Sequence, residues 1–160
     1  MRIGEIAVIS PPGKANTSFI SSICPAQCEG DNKTCFGRLQ INDQLMLHLY
    51  GISIDENIMT FAWDLVSKKM LGYILLFNWF DEKAISSISP IVDFLSSRYE
   101  TVMVFAAYTD QGNFPLPEPY IDDGILIAPD NRLVFCRLDD SQSNRHIVIS
   151  LINMIIEKLP

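Results

Sequence analysis

The chain has 160 residues, 48% of them hydrophobic, and a formal net charge of −7, which suits one domain over residues 1–160 with one substantial core. Its 12 lysines and arginines are scattered and make no basic stripe with interleaved aromatics, which argues against a nucleic-acid-binding surface. No apolar run approaches the roughly 18 residues that cross a bilayer, and Met1-Arg2-Ile3-Gly4-Glu5 leads straight into a strand instead of a charged head and cleavable apolar segment; the expectation is a cytoplasmic protein without a membrane span.

Short β-rich apolar runs alternate with longer stretches of helical period, the pattern of an α/β protein. The first strand covers about Ile3 to Ile9 and ends at Ser10-Pro11-Pro12-Gly13, and Thr17 to Cys24 follows as a short helix that Pro25 terminates. Phe36 to Ile41 and Leu45 to Tyr50 read as a hairpin, with Leu39 and Ile41 alternating against Leu45, Leu47 and Leu49 and with Asn42-Asp43 as turn residues. Glu56 to Lys69 has helical spacing through Ile58, Phe61, Ala62 and Leu65, and Met70 to Asn78 is a nearly continuous apolar run suited to a strand buried on both faces. Ile85, Ile88, Val92 and Leu95 repeat along the next helix, which Pro90 is placed to kink or split, and Thr101 to Ala107 is another buried strand. Gln111 to Asn131, rich in Pro, Gly and Asp, reads as a loop with at most one helical turn. Arg132 to Cys136 is the last strand, and Val148, Leu151, Ile152, Ile155 and Leu159 line one face of a closing helix capped by Ser141 or Ser143.

Cys24, Cys28, Cys35 and Cys136 offer no CxxC pair, and His48 and His146 lie far from the three clustered thiols. Ordinary reduced thiols are the expectation, with a redox pair drawn from Cys24, Cys28 and Cys35 as the alternative. Trp79 and Phe80 follow a strand end; packing against neighbouring elements is the expectation, and an exposed partner-binding spot the alternative.

In a sheet of this kind ligands sit beyond the carboxyl ends of the strands. There, Ser10-Pro11-Pro12-Gly13-Lys14-Ala15-Asn16-Thr17-Ser18-Phe19 resembles the phosphate loop of Ras-like GTPases, whose common form is Gly-Pro-Pro-Gly-Ala-Gly-Lys-Thr-Thr-Phe. Phe36-Gly37-Arg38-Leu39, Leu47-His48-Leu49-Tyr50-Gly51, Phe61-Ala62-Trp63-Asp64 and Leu71-Gly72-Tyr73-Ile74-Leu75-Leu76 follow in the order and spacing of bacterial GTPases of the gliding-motility and conservon type. The resemblance implies a three-layer P-loop (Ras-like) α/β fold: a mostly parallel six-stranded sheet with one antiparallel edge hairpin and helices on both faces. It also implies a nucleotide site built from Gly13, Lys14, Asn16, Thr17, Ser18 and Asp110.

That site departs from the family at nearly every chemical position. Ser10 and Ala15 replace glycines, and a Cβ at Ala15 crowds a backbone meant to wrap a phosphate. Asn16 replaces the lysine and removes a charge-assisted hydrogen bond worth roughly 1.5–3 kcal/mol. Taking Gly13-Lys14 as the terminal Gly-Lys fits worse, because Val8 then stands for the opening glycine and Ala15 for the magnesium-binding hydroxyl. Thr17 keeps its family role as a metal ligand only if a magnesium-nucleotide binds, and helix capping explains it equally. Ile54 and Asp55 stand where a γ-phosphate-contacting glycine and a water-orienting glutamine belong, and a carboxylate at Asp55 repels the γ-phosphate. Asp110 alone survives of the Asn-Lys-x-Asp base-recognition motif, and Leu138 intrudes where a small residue backs the base.

Together these departures imply a pseudo-GTPase: a protein-interaction or signalling scaffold without efficient hydrolysis, needing no cofactor. The alternative is a divergent switch that holds GTP or GDP with magnesium through Gly13, Thr17 and Asp110. By resemblance the partner is a roadblock-type regulator reading the Asn32 to Ile41 and Ser53 to Trp63 segments. An enzyme of unrelated chemistry finds no Ser/His/Asp set, no paired carboxylates and no nucleophile elbow.

Overall fold

A strand buried on both faces needs apolar side chains at every position. Ile6-Ala7-Val8-Ile9 and Tyr73-Ile74-Leu75-Leu76 supply them, each residue 0% exposed. They lie at the centre of the sheet in the computed structural model, which describes residues 1–11, 14–29, 34–53, 70–81, 83, 86, 90–93, 95, 102–109, 125–128 and 131–159, with 26–29, 34 and 125–128 described by backbone alone. The elements are β1 (Arg2–Ser10), α1 (Ala15–Ile23), β2 (Ala26–Glu29), β3 (Thr34–Gln40), β4 (Leu45–Ser53), β5 (Met70–Asn78), β6 (Val102–Tyr108), β7 (Ile125–Ala128), β8 (Asn131–Cys136) and α2 (Ser141–Lys158).

The strands form one sheet in the order β2-β3-β4-β1-β5-β6-β8-β7. β4, β1, β5, β6 and β8 run parallel, while β3 returns antiparallel on β4, with Leu39 opposite Leu47. The hairpin turn closes on Asn42, whose Oδ1 accepts the Gln44 and Leu45 amides at 2.8 and 2.9 Å, the local side-chain bond for which asparagine is favoured in turns. Six strands with one antiparallel hairpin match the sequence expectation, but the described sheet has eight. Four-residue strands extend both edges: β2 antiparallel on β3, and β7 antiparallel on β8 inside the segment read from sequence as loop.

Each face of the sheet carries its own core. α1 and α2 cover one, where Phe19, Ile20, Ile147 and Leu151 pack on Ile6, Val8, Leu49, Ile74 and Val104. On the other, Ile91 and Leu95, which belong to a helical stretch, pack with Ile9, Tyr73, Leu75 and Phe105. Pro90 is helical, as are residues 83, 86, 91–93 and 95 among those described. The expected helix over Glu56 to Lys69 lies outside the described residues.

α2 is capped by neither Ser141 nor Ser143. Asp140 is the cap, its carboxylate accepting from the Gln142 and Ser143 amides, while the Ser143 hydroxyl accepts the Arg137 amide at 2.9 Å. A carboxylate satisfies two orphan amides at once and carries the charge that a helix N-terminus favours.

Candidate functional site

β1 ends at Ser10, in parallel register with Ser53 at the end of β4, and the chain then turns into α1. The helix opens earlier than the sequence suggests: Lys14 is its N-cap, without a side-chain cap bond, and its carbonyl accepts the Ser18 amide at 2.9 Å. Thr17 therefore lies inside the first turn, and the capping explanation for it does not hold. Lys14 and Ser18 are exposed. Gly13, Ile54, Asp55 and Asp110 lie outside the described residues.

Asn16 points into the protein. It is 0% exposed, and its Nδ2 donates to Ser53 Oγ at 3.2 Å across 37 residues of sequence. Its Oδ1 accepts from the Thr17 hydroxyl at 3.2 Å, and that hydroxyl also lies 2.9 Å from Cys35 Sγ. Ser53, Asn16, Thr17 and Cys35 thus form one polar chain, buried at Ser53, Asn16 and Cys35 and half-buried at Thr17, joining the end of β4, the first turn of α1 and β3. Of the six site residues expected from the sequence, the structure brings Asn16 and Thr17 together and leaves Lys14 and Ser18 on the surface. Ser10 Oγ, also buried, has no hydrogen-bond partner among the described residues.

Two glycines let α1 lie this close. A Cβ at Gly51 would stand 3.3 Å from Asn16 Cγ and 3.0 Å from Ile20 Cδ1, and one at Gly37 would meet Cys24 Sγ and Ile20 Cγ2, each at 2.6 Å. The Phe-Gly-Arg-Leu fragment and the glycine after Tyr50 therefore have a packing cause in this chain. Ala15, read as an obstruction to phosphate, packs into the core beneath α1.

On the opposite side of β3 and β4, Phe36 meets His48 edge-on with centroids 5.1 Å apart and Tyr50 at 5.2 Å, and the Arg38 guanidinium lies 5.4 Å above the Phe36 ring. Such pairs are each worth about 0.5–1.5 kcal/mol beyond burial. Tyr50 donates to Glu5 Oε1 at 3.1 Å; desolvation, then the bond to Glu5, pushes the phenol above its usual range. A cleft of about 280 Å³ opens beside Pro25, Phe36, Gly37 and Arg38. Trp79 packs edge-on against Phe135 at 4.9 Å, as expected for a strand-end aromatic, whereas Phe80 is exposed.

The cysteines do not all match the reduced-thiol expectation. Cys24 and Cys136 are free and buried, but Cys35 is disulfide-bonded. Among the described residues no three of His, Cys, Asp and Glu gather as a metal site. The sequence reading also missed Ser53 and Cys35 as partners of Asn16 and Thr17. The available signal was weak: two apolar strands, β1 and β4, each end on serine.

Compared with models of known protein families and with curated proteins, the chain matches none.

Proposed function

We propose that this chain is a degenerate small GTPase-like protein of Ras-like, P-loop type, a pseudo-GTPase that serves as a protein-interaction or signalling scaffold without efficient GTP hydrolysis. The observation that carries the proposal is the seat of Asn16. A phosphate-binding lysine at this position has to reach outward with its charge; Asn16 is uncharged, fully buried and committed to Ser53 and Thr17. Lys14 is exposed and stands in a register that fits the motif worse. Support for the fold assignment comes from the mostly parallel sheet, the β3–β4 antiparallel hairpin, and the turn from β1 into α1.

With the nucleotide chemistry gone, function falls to a surface. A roadblock-type regulator is the partner the resemblance favours, and the β3 strand with its half-buried aromatic cluster belongs to the segment it would read. A cytoplasmic location goes with this reading; no helix among the described residues is long and apolar enough to cross a membrane.

Titration calorimetry with GTP, GDP and ATP, each with magnesium and extended to high micromolar ligand, tests the proposal. No binding heat is expected. Guanine-specific binding at low micromolar affinity would overturn it in favour of a divergent GTP/GDP switch. That second reading draws on Ser10, whose buried hydroxyl has no partner among the described residues and would be satisfied by a bound ligand, and it would make Thr17 and Asp110 the first residues to substitute.

A further inference from the structure

We infer that Cys28 and Cys35 form a reversible cross-strand disulfide whose redox state is read at the start of α1 through the hydroxyl of Thr17. Four cysteines are present; Cys24 and Cys136 are free and Cys35 is bonded, so elimination leaves Cys28 as the second sulfur. The backbone agrees, since the β2–β3 register sets Cys28 directly opposite Cys35. Directly opposed residues of an antiparallel pair have Cα atoms about 4.5–5.5 Å apart, inside the span of about 4.4–6.8 Å that a disulfide bridges. The inference does not depend on whether the chain binds nucleotide.

The coupling to α1 follows from counting protons. A disulfide sulfur carries no hydrogen, so the 2.9 Å contact between Cys35 Sγ and Thr17 Oγ1 must be donated by Thr17. The same hydroxyl donates to Asn16 Oδ1, and a hydroxyl has one proton. Two acceptors therefore compete for it while the disulfide is intact. Reduction by a small dithiol delivers two electrons and two protons, breaks the S–S bond, leaves a thiol on each cysteine and converts the reductant to its own disulfide. Cys35 then has an S–H to donate to Thr17, whose hydroxyl no longer donates to the sulfur and keeps its bond to Asn16, whose amide already donates to Ser53. All donors now run in one direction along the chain, an arrangement in which each bond polarises the next. Reduction at the edge of the sheet thus reorders the hydrogen bonds of the first turn of α1 and frees the four-residue strand β2 from its covalent tie to β3.

The full chain, held in an oxidised-dithiol buffer, alkylated under denaturing conditions and cut with trypsin after Lys33 and Arg38, gives peptides 15–33 and 34–38. The expected product is these two joined, with the alkyl group on Cys24. The joined species is lost in Cys28→Ser and kept in Cys24→Ser. Reduction lowers the wild-type melting temperature by roughly 5–10 °C and shifts the amide resonances of Asn16 and Thr17, whereas Cys28→Ser shows neither response. Alkylation of both Cys28 and Cys35 in the oxidised protein, or a joined peptide that survives Cys28→Ser, overturns the pairing. Asn16 and Thr17 resonances unmoved by reduction of the wild type overturn the coupling, a result read without any variant.

Discussion

Asn16 differs from a lysine at the same place in more than charge. Its amide offers a donor and an acceptor on a short stem, and both are used within the protein: Nδ2 on Ser53 and Oδ1 on Thr17. Removing it leaves Ser53 Oγ, itself buried, without that donor, so Asn16→Ala is expected to cost about 1–3 kcal/mol. Asn16→Lys is expected to cost more, because an ammonium at a position with 0% exposure carries a desolvation penalty of several kcal/mol. Urea denaturation with and without millimolar magnesium-GTP checks both, the nucleotide leaving every midpoint in place. A lysine variant as stable as wild type and further stabilised by GTP would mean that the position still faces a phosphate site. Only half of this was legible in the sequence. Gap-free reading of the loop singles out Asn16, but its partner lies 37 residues away, and a serine at the end of an apolar strand is too common to announce that contact.

The long elements follow from runs of apolar side chains and were legible for that reason. The run Met70 to Asn78 becomes β5 with the same bounds, and Asn42-Asp43 marks the hairpin turn where Asn42 closes it. β2 and β7 were not legible: Ala-Gln-Cys-Glu and Ile-Leu-Ile-Ala are four residues each, too short to show a period, and pairing with an already formed edge decides their conformation. Helix ends were legible only to within a residue or two, because caps depend on backbone geometry. At the start of α2 the sequence offered Ser141 and Ser143 as caps, and the residue before them, Asp140, holds the position. Asp140→Ala is accordingly expected to lower stability by about 1 kcal/mol and to speed hydrogen exchange at the Gln142 and Ser143 amides. Asp140→Asn, which keeps an acceptor, should cost only a fraction of that. Equal losses in thermal melts of the two variants would assign the effect to the charge near the helix end instead of the hydrogen bonds.

Across the whole molecule the layered α/β class was legible because the central strands are apolar at successive positions, which only a sheet covered on both faces accommodates. The two cores bear this out, with Ile6 and Val8 under α1 and α2, and Ala7 and Ile9 on the other side. The same burial has a consequence for the stability of the molecule as a unit. Cys136 lies at 0% exposure within the first core, and desolvation pushes its thiol from the usual value of 9.0 up to about 12. Cys24 moves the same way through burial, opposed by Arg145, and Tyr50 through desolvation and its bond to Glu5. In each case the folded state holds its proton more tightly than the unfolded chain does. Below about pH 9 both states keep the Cys136 proton, and the group contributes no pH dependence. Above it the unfolded chain ionises while the folded state does not, so stability falls as pH rises, by up to about 1.4 kcal/mol per pH unit from Cys136 until the folded thiol itself titrates near 12. Melting temperatures at pH 7, 9 and 10.5 should therefore be level over the first interval and fall over the second. Cys136→Ala, though less stable throughout because of the cavity it leaves, should fall less steeply. An unchanged alkaline slope in that variant would show that Cys136 is not the group linking proton release to unfolding.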